Sequence, residues 1–245
     1  MTAEFGLLIL GAYLLGSVPA AYLIAKWSRG IDLRQYGSGN VGASNLWRSV
    51  SWRLALLVIV FDLAKGTAMV WVAQLLGLGI VQQIAVGLAT VIGHNWSVFL
   101  RFSGGRGILT SFGVILILSP KLGLIVLVLA LLFFPFRQAS LGVLIALVSL
   151  PILSWFLSQP LGIDERLPIT LVYLAILLIA IFKRLAAPRT SVTASVSPGQ
   201  LLLNRLLLDR DVRDREVWIH RTPLQAGPSE QPLKQQPKQG KADDK

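Results

Sequence analysis

Residues 54–76 read LALLVIVFDLAKGTAMVWVAQLL, a nearly unbroken apolar run that contains one acid, Asp62, and one base, Lys65. Its length matches the roughly 20 residues that a helix needs to cross about 30 Å of hydrocarbon. Similar runs recur along the 245 residues, of which 54% are hydrophobic and 14% charged. Soluble proteins carry about a quarter charged residues. The composition excludes a soluble globular domain and a disordered chain, and it predicts an all-α polytopic membrane protein.

Seven apolar runs are predicted to be transmembrane helices. They are about Phe5–Ala25, Leu54–Leu76, Ile80–Leu100, Gly107–Ser119, Leu122–Phe136, Ser140–Leu157 and Pro168–Phe182. The first run is preceded by Glu4, and its nearest positive charges come after its C-terminal end. This order favours an uncleaved span over a signal peptide. The fourth and fifth runs are short, so a re-entrant pair is the alternative interpretation for them.

The loop charges indicate the orientation and favour seven crossings. With the N-terminus outside, the cations divide between an inner set (Lys26, Arg29, Arg34, Arg48, Arg53, Arg101, Arg106, Arg137, Lys183, Arg184) and an outer set (Lys121, Arg166). Such an excess is typical of cytoplasmic loops. A re-entrant pair would put Lys183 and Arg184 outside. The net charge of +11 therefore fits membrane topology, and no nucleic-acid partner is expected.

Two units with different compositions follow along the chain. Residues 1–185 form the predicted seven-span domain, and residues 186–245 form a cytoplasmic tail. The tail has a predicted amphipathic helix at about 200–218, lying on the bilayer or on the body. From about residue 225 the composition predicts disorder. The chain has no cysteine and two histidines, so neither a disulfide nor a metal site is expected.

Polar residues and glycines concentrate in two inner segments, residues 30–48 and residues 93–107. Glycine-rich backbone lets several N–H groups converge on one anion. In the first segment Ser38 and Asn40 add donors, and Arg48 adds a guanidinium suited to a phosphate. In the second, Gly107 opens the fourth predicted helix, whose dipole would favour an anion. The alternative is that both segments are flexible loops with tight helix packing.

Three polar side chains inside the apolar runs have two interpretations each. Asp62 and Lys65 lie one helical turn apart, and the pair either orients helices or extends the cationic pocket through Lys65. His94 is either a buried hydrogen-bonding group or a residue that contacts substrate.

Several motifs occur in an order and spacing that resemble one family over roughly residues 10–115, and the span pattern extends the likeness to about residue 185. The motifs are Gly16-Ser-Val-Pro19, Gly30-Ile-Asp32, Gly37-Ser-Gly-Asn-Val-Gly-Ala-Ser-Asn45, Asp62-x-x-Lys-Gly66 and Gly93-His to Phe102-x-Gly-Gly-Arg-Gly107. This pattern resembles the bacterial acyl-phosphate:glycerol-3-phosphate acyltransferases. The resemblance implies an integral inner-membrane enzyme of phospholipid biosynthesis. It would transfer an acyl chain from acyl phosphate to the 1-hydroxyl of glycerol 3-phosphate, giving lysophosphatidic acid and phosphate.

The resemblance also implies roles for individual residues, with no cofactor and no metal. Substrate positioning falls to Ser38, Asn40, Arg48 and Arg106. Phosphate binding falls to Gly39, Gly42, Ser44, Asn45, Gly104, Gly105 and Gly107. Asp62, Lys65 and His94 support them. Arg106 stands where the family usually has Lys, and Ser44 where it has Thr. In a third motif, family His, Asn, Gly and Glu are replaced by Leu178, Ile181, Pro188 and Thr190.

The chemistry does not require a nucleophilic side chain. An acyl phosphate is already activated, so the protein supplies positioning and charge stabilisation, and a substrate phosphate oxygen can take the hydroxyl proton. Two other functions remain open. The eroded third motif allows a catalytically silent paralogue that binds phospholipid precursors. A small-anion transporter would need matching segments in two halves, and the segment Gly37–Asn45 has no counterpart in the second half.

Overall fold

The computed structural model describes residues 2–188 and 191–219, and the regular elements in these ranges are helical. The α-helices are α1 (Thr2–Ser17), α2 (Ala20–Arg29), α3 (Ala43–Ser49), α4 (Trp52–Leu75), α5 (Ile80–Asn95), α6 (Ile108–Leu118), α7 (Pro120–Leu131), α8 (Ala139–Phe156), α9 (Ser158–Leu161), α10 (Arg166–Leu185), α11 (Pro198–Leu203) and α12 (Arg215–Ile219). Short 3₁₀ turns occupy Leu33–Gln35, Val98–Leu100 and Ser191–Ser195, and a π turn occupies Asn204–Leu208. The all-α prediction is confirmed for the described residues.

Five segments are long and apolar enough to cross a membrane. They are Glu4–Arg29, Trp52–Leu75, Ile80–Leu100, Ala139–Phe156 and Arg166–Leu185. The fourth and fifth predicted runs, which are the short ones, correspond to α6 and α7. These helices have 11 and 12 residues. Ser119 separates them, and Pro120 is the first residue of α7, a position that proline tolerates because its missing N–H has no helical partner there.

The first predicted span is interrupted where α1 ends and α2 begins. Pro19 has no N–H and disfavours helical geometry at the preceding residue, so the regular bonding pattern stops at the Gly16 and Ser17 carbonyls. Side chains from α4 and from the loop after α5 replace the lost donors. Lys65 Nζ donates to Gly16 O at 3.0 Å, and Ser97 Oγ donates to Ser17 O at 2.5 Å. The break is therefore stabilised by residues distant in sequence.

Glycines set the closest helix contacts in the body. A Cβ at Gly16 or Gly93 would overlap a backbone carbonyl oxygen across the α1–α5 contact, and one at Gly66 or Gly113 would do so between α4 and α6. Such positions let two helix backbones approach closely. The glycines of the quoted motifs that lie within these helices are therefore packing residues.

The described part of the tail, residues 191–219, is called the tail segment below. It contains α11, the π turn and α12, so the helix predicted at about 200–218 is divided. The division follows from Asp209, whose φ of 58° is left-handed and ends the π turn. The disorder predicted from about residue 225 falls outside the described residues.

The tail segment is docked on the C-terminal end of α10. Arg205 forms an ion pair with Asp211 at 2.7 Å, with side chains 7% and 1% exposed. Its guanidinium also donates to Leu185 O at 2.8 Å, and Arg184 donates to Leu206 O at 2.6 Å. Because both charges of the buried pair have partners, burying them does not leave an unpaired ion. The segment therefore lies on the protein body.

One end of the helix bundle collects the cationic loops, and it is called the cationic end below. Arg106, before α6, donates to the carbonyl of Lys183 at 3.3 Å, and Lys183 Nζ donates to Asn95 O at the end of α5 at 2.7 Å. Arg184 donates to Ser140 O at the start of α8 at 2.8 Å. Loops that are far apart in sequence thus meet at this end.

Candidate active site

The two polar segments identified in the sequence border one small cavity at the cationic end, of about 10 Å³, which is room for about one water molecule. The first segment contributes Val41, and the second contributes His94, Gly104 and Gly105. The remaining lining residues are Ser17, Val18, Pro19, Ala20, Asp62 and Ser97. The helix break at Pro19 therefore forms one wall of the cavity.

The first segment is organised by the buried side chain of Asn45. Its Nδ2 donates to the carbonyl oxygens of Leu33 at 3.1 Å, Tyr36 at 2.9 Å and Asn40 at 3.0 Å. Its Oδ1 accepts the Ser38 N–H at 3.0 Å. Asn45 was expected to bind phosphate, and in this structure its amide groups hold the loop together.

The loop conformation depends on glycine at two positions. Gly37 and Gly39 have φ angles of 53° and 68°, a region that other residues rarely adopt. Gly42 is the N-cap of α3. The exposed side chains of Ser44 and Arg48, four residues apart on α3, share one face of that helix. The helix that follows the loop therefore presents a hydroxyl and a guanidinium on the same side.

The second segment lies against the end of α5. The Gly105 N–H donates to His94 O at 3.0 Å, and a Cβ on Gly105 would overlap the His94 ring. A Cβ on Gly104 would likewise overlap backbone atoms of His94 and Asn95. Gly107, with φ of 68°, is the N-cap of α6 and packs against the Asn95 carboxamide. Glycine here permits close packing, and the Gly105 N–H is already used within the protein.

A buried charge cluster forms part of the cavity wall. Lys65 Nζ lies 2.8 Å from Asp62 Oδ1 and 2.9 Å from His94 Nδ1, and the carboxylate is 3.5 Å from the same nitrogen. Because an ammonium group has no lone pair, His94 Nδ1 must accept, so the proton of the neutral ring lies on Nε2. That nitrogen faces Gly105. Lys65 thus connects α4 with α1 and α5, and both Asp62 and His94 line the cavity.

An arginine of the second segment pairs with a carboxylate of the tail segment. Arg106 forms an ion pair with Asp209 of the tail segment. Partial burial and the charges of Arg215 and Arg210 lower the pKa of Arg48, and the charge of Asp209 opposes that shift. The region therefore carries more positive than negative charge, as an anion site requires.

The third motif occupies the last turns of α10. Leu178 is exposed and Ile181 packs partly buried against the helix cluster. Lys183 and Arg184, which match the family pattern, contact other elements at the cationic end. Thr190 lies outside the described residues. The side chains that reach the cationic end from α10 are thus the two retained cations.

Three residues of this region were not predicted from the sequence. Ser17 and Ser97 lie in quoted polar stretches, but small hydroxyl residues are common in transmembrane helices and gave no specific signal. Asp209 follows an apolar stretch of the tail, and no local pattern connects it to Arg106.

Comparison with known proteins identifies the family. The family model "Glycerol-3-phosphate acyltransferase" matches residues 6–189. A glycerol-3-phosphate acyltransferase of Dehalococcoides mccartyi is 46% identical over 221 residues, covering 90% of this chain and 95% of that protein. This chain belongs to the glycerol-3-phosphate acyltransferase family.

Other relatives extend the agreement from sequence to fold. A glycerol-3-phosphate acyltransferase of Thermus thermophilus is 45% identical over 168 residues, covering 66% of this acyltransferase and 80% of the relative. The crystal structure of PlsY, an integral membrane glycerol 3-phosphate acyltransferase, superposes in its glycerol 3-phosphate form with a TM-score of 0.69. Identity to it is 30%, covering 86% of this chain and 96% of that one. The crystal structure of its lysophosphatidic acid form superposes with a TM-score of 0.65. Identity to it is 31%, covering 74% of this chain and 88% of that one. The predicted family is confirmed, and the protein is a multi-pass membrane acyltransferase.

Proposed function

We propose that this acyltransferase moves an acyl chain from acyl phosphate to the 1-hydroxyl of glycerol 3-phosphate at the cationic end, releasing lysophosphatidic acid and phosphate. The observation that carries the proposal is the shared location of the two glycine-rich segments. Both border one cavity. Arg106 forms an ion pair with Asp209, and Arg48 lies on α3, which begins within the first segment. The solved PlsY structures are described as glycerol 3-phosphate and lysophosphatidic acid forms, a substrate and a product of the proposed reaction.

Arg48 and Arg106 would hold the phosphate groups, because a guanidinium offers several donors in one plane. Ser38, Asn40 and Ser44 would add hydrogen bonds from the first segment. The glycines of both segments (Gly39, Gly42, Gly104, Gly105, Gly107) would contribute shape and backbone donors. Asn45, already bonded inside its loop, would act by fixing that loop.

The acyl transfer would proceed without a covalent enzyme intermediate. The glycerol hydroxyl oxygen attacks the acyl carbon, the bond from that carbon to the phosphate oxygen breaks, and a substrate phosphate oxygen takes the hydroxyl proton. Bringing two phosphorylated molecules together costs electrostatic repulsion, which the two arginines offset. Asp62, Lys65 and His94 would hold the cavity wall in place.

The proposed setting is the bacterial cytoplasmic membrane, with seven crossings, the N-terminus outside and the C-terminus in the cytoplasm. The positions of the helix ends support an alternation of loops between the two sides of the bundle. Arg184 contacts the start of α8, while Lys121, in the first turn of α7, lies near Gly162 beyond the end of α8. The charge bias of the loops then puts the cationic end inside. Residues 1–185 would form the membrane domain and residues 186–245 a cytoplasmic tail.

The donor is tested with purified protein, labelled glycerol 3-phosphate and either palmitoyl phosphate, palmitoyl coenzyme A or palmitoyl acyl carrier protein. We expect lysophosphatidic acid with palmitoyl phosphate alone. Product with only one of the other two donors would refute the proposed donor. No product with any donor, under conditions where a known relative is active, would instead support the catalytically silent alternative.

A further inference from the structure

The tail segment brings one carboxylate into the cationic end. Asp209 forms an ion pair with Arg106, and its charge also acts on Arg48 and Arg184. The two side chains of the ion pair are 14% and 24% exposed. The family model ends at residue 189, before this segment. The carboxylate therefore enters the cationic end from outside the segment that defines the family.

The backbone on both sides of Asp209 is anchored. Arg205 and Asp211 form their buried ion pair on either side of it in sequence. Asn204 Nδ2 donates to the carbonyl of Asp211 at 3.0 Å, and Thr193 Oγ1 donates to its carboxylate at 2.7 Å. The anchor fixes the position of the Asp209 main chain, and its side chain, 24% exposed, is held to Arg106 by the ion pair alone among the contacts described for it.

The tail segment also belongs to at least one curated relative. The match to the Dehalococcoides mccartyi enzyme covers 221 of the 245 residues of this chain, so it includes residues 25–221 wherever it begins. It covers 95% of that protein. The segment is therefore a shared part of an acyltransferase.

We propose that Asp209 sets the affinity of the enzyme for a phosphorylated substrate by occupying Arg106 until a phosphate group displaces it. This inference rests on the phosphate-binding role proposed for Arg106. A carboxylate and a phosphate use the same donors of a guanidinium, so they compete for it. A dianionic phosphate carries more negative charge than one carboxylate, so Arg106 and the neighbouring cations Lys183 and Arg184 attract it more strongly than they attract Asp209. The apparent affinity is then the intrinsic affinity multiplied by the fraction of Arg106 that is free, so pairing with Asp209 weakens binding.

The test measures binding and turnover separately in the full-length protein. Glycerol 3-phosphate and palmitoyl phosphate are titrated one at a time by calorimetry, and the KM for each is determined. We expect Asp209→Asn to lower Kd and KM for one of the two by about three- to tenfold, since it removes a partly buried competitor. The substrate that gains affinity identifies the phosphate that meets Asp209.

The matched control is Glu216→Gln. It removes the same charge from the same segment at an exposed position, 3.9 Å from Arg137, and should leave both affinities unchanged. Asp209→Gly is the second variant, because glycine adopts the left-handed conformation without strain. An unchanged thermal midpoint for either variant shows that the segment stays docked. Unchanged or weaker binding of both substrates in docked variants would overturn the proposal, because Asp209 would then be neutral or would position Arg106.

A double-mutant comparison separates this inference from the proposed site. Arg106→Ala should weaken phosphate binding, and adding Asp209→Asn to it should restore nothing. If Arg106→Ala binds both substrates like the wild type, the phosphate role of Arg106 fails. If it weakens binding while Asp209→Asn alone gives no gain, only the competition by the tail is refuted.

Discussion

Replacing Asn45 by alanine distinguishes two roles for a residue that sequence alone assigns to phosphate binding. The structure brings four backbone groups to its side chain: the two Nδ2 hydrogens are shared among three carbonyl oxygens, and Oδ1 accepts one N–H. The residue is 0% exposed, so water cannot replace those bonds without rearrangement of the loop. We therefore expect Asn45→Ala to destabilise the protein whether or not substrate is present.

The magnitude follows from the groups left without partners. An unsatisfied buried polar group costs about 1–3 kcal/mol. One of the three accepting carbonyls, that of Leu33, is in a fully buried bond, and the other bonds are partly buried. Because loop relaxation would restore part of the loss, we expect about 3 kcal/mol in total. At about 2–4 °C per kcal/mol for a chain of this size, the thermal midpoint should fall by roughly 6–12 °C.

The assay is thermal unfolding of the detergent-solubilised protein, with and without glycerol 3-phosphate, together with steady-state kinetics. Asn40→Ala is the matched control, because it makes the same truncation in the same loop at a half-buried position. It should raise KM for a substrate and leave the midpoint of the ligand-free protein within a few degrees. If Asn45→Ala instead raised KM while keeping the wild-type midpoint, Asn45 would be a phosphate ligand and our account of the loop would be wrong.

Three further predictions concern the rest of the site. Arg48→Ala and Arg106→Ala should each lower turnover at least about tenfold, the effect of losing one charge-stabilising group; wild-type rates in both would remove the phosphate role. Gly105→Ala should inactivate the enzyme, because the new methyl group would overlap the imidazole ring at the end of α5, and an active variant would disprove that contact. The pKa of Asp32 lies below its ordinary 3.8 because Arg34 donates side-chain hydrogen bonds to it. The stability from this pair is present above that value and lost as the pH falls through the lowered pKa, so the midpoint deficit of Asp32→Asn should shrink in acid.

The hydrophobic pattern predicted the helices well but not the break in the first one. A bilayer requires apolar segments of a certain length, which the sequence shows directly. Each predicted run contains a helix in the structure. The break at Pro19 is different, since transmembrane helices tolerate proline where neighbours satisfy the freed carbonyls. Here Lys65 does so from α4, and Ser97 does so from the loop after α5. A local pattern cannot predict donors that arrive from residues so distant in sequence.

Within the site, the residue types were predictable and their individual tasks were not. Glycine, amide and guanidinium groups clustered in two segments, and those segments meet at one cavity. Asn40 and Asn45, however, are the same residue in the same loop. Their difference lies in hydrogen bonds that reach as far as Leu33, twelve positions back from Asn45. Only the folded backbone decides which amide is used inside the loop and which remains for a ligand.

The tail shows most clearly why residue spacing was insufficient. Apolar spacing predicted one helix over about 200–218, and Asp209 divides it by adopting a left-handed conformation. That conformation is uncommon for a residue other than glycine, although aspartate accepts it more readily than most. The strain is offset by the buried pair of Arg205 and Asp211 and by the attraction between Asp209 and Arg106. A carboxylate held this way, among cations that the topology had already collected at one end of the bundle, is better explained by what those cations bind than by the packing of the tail.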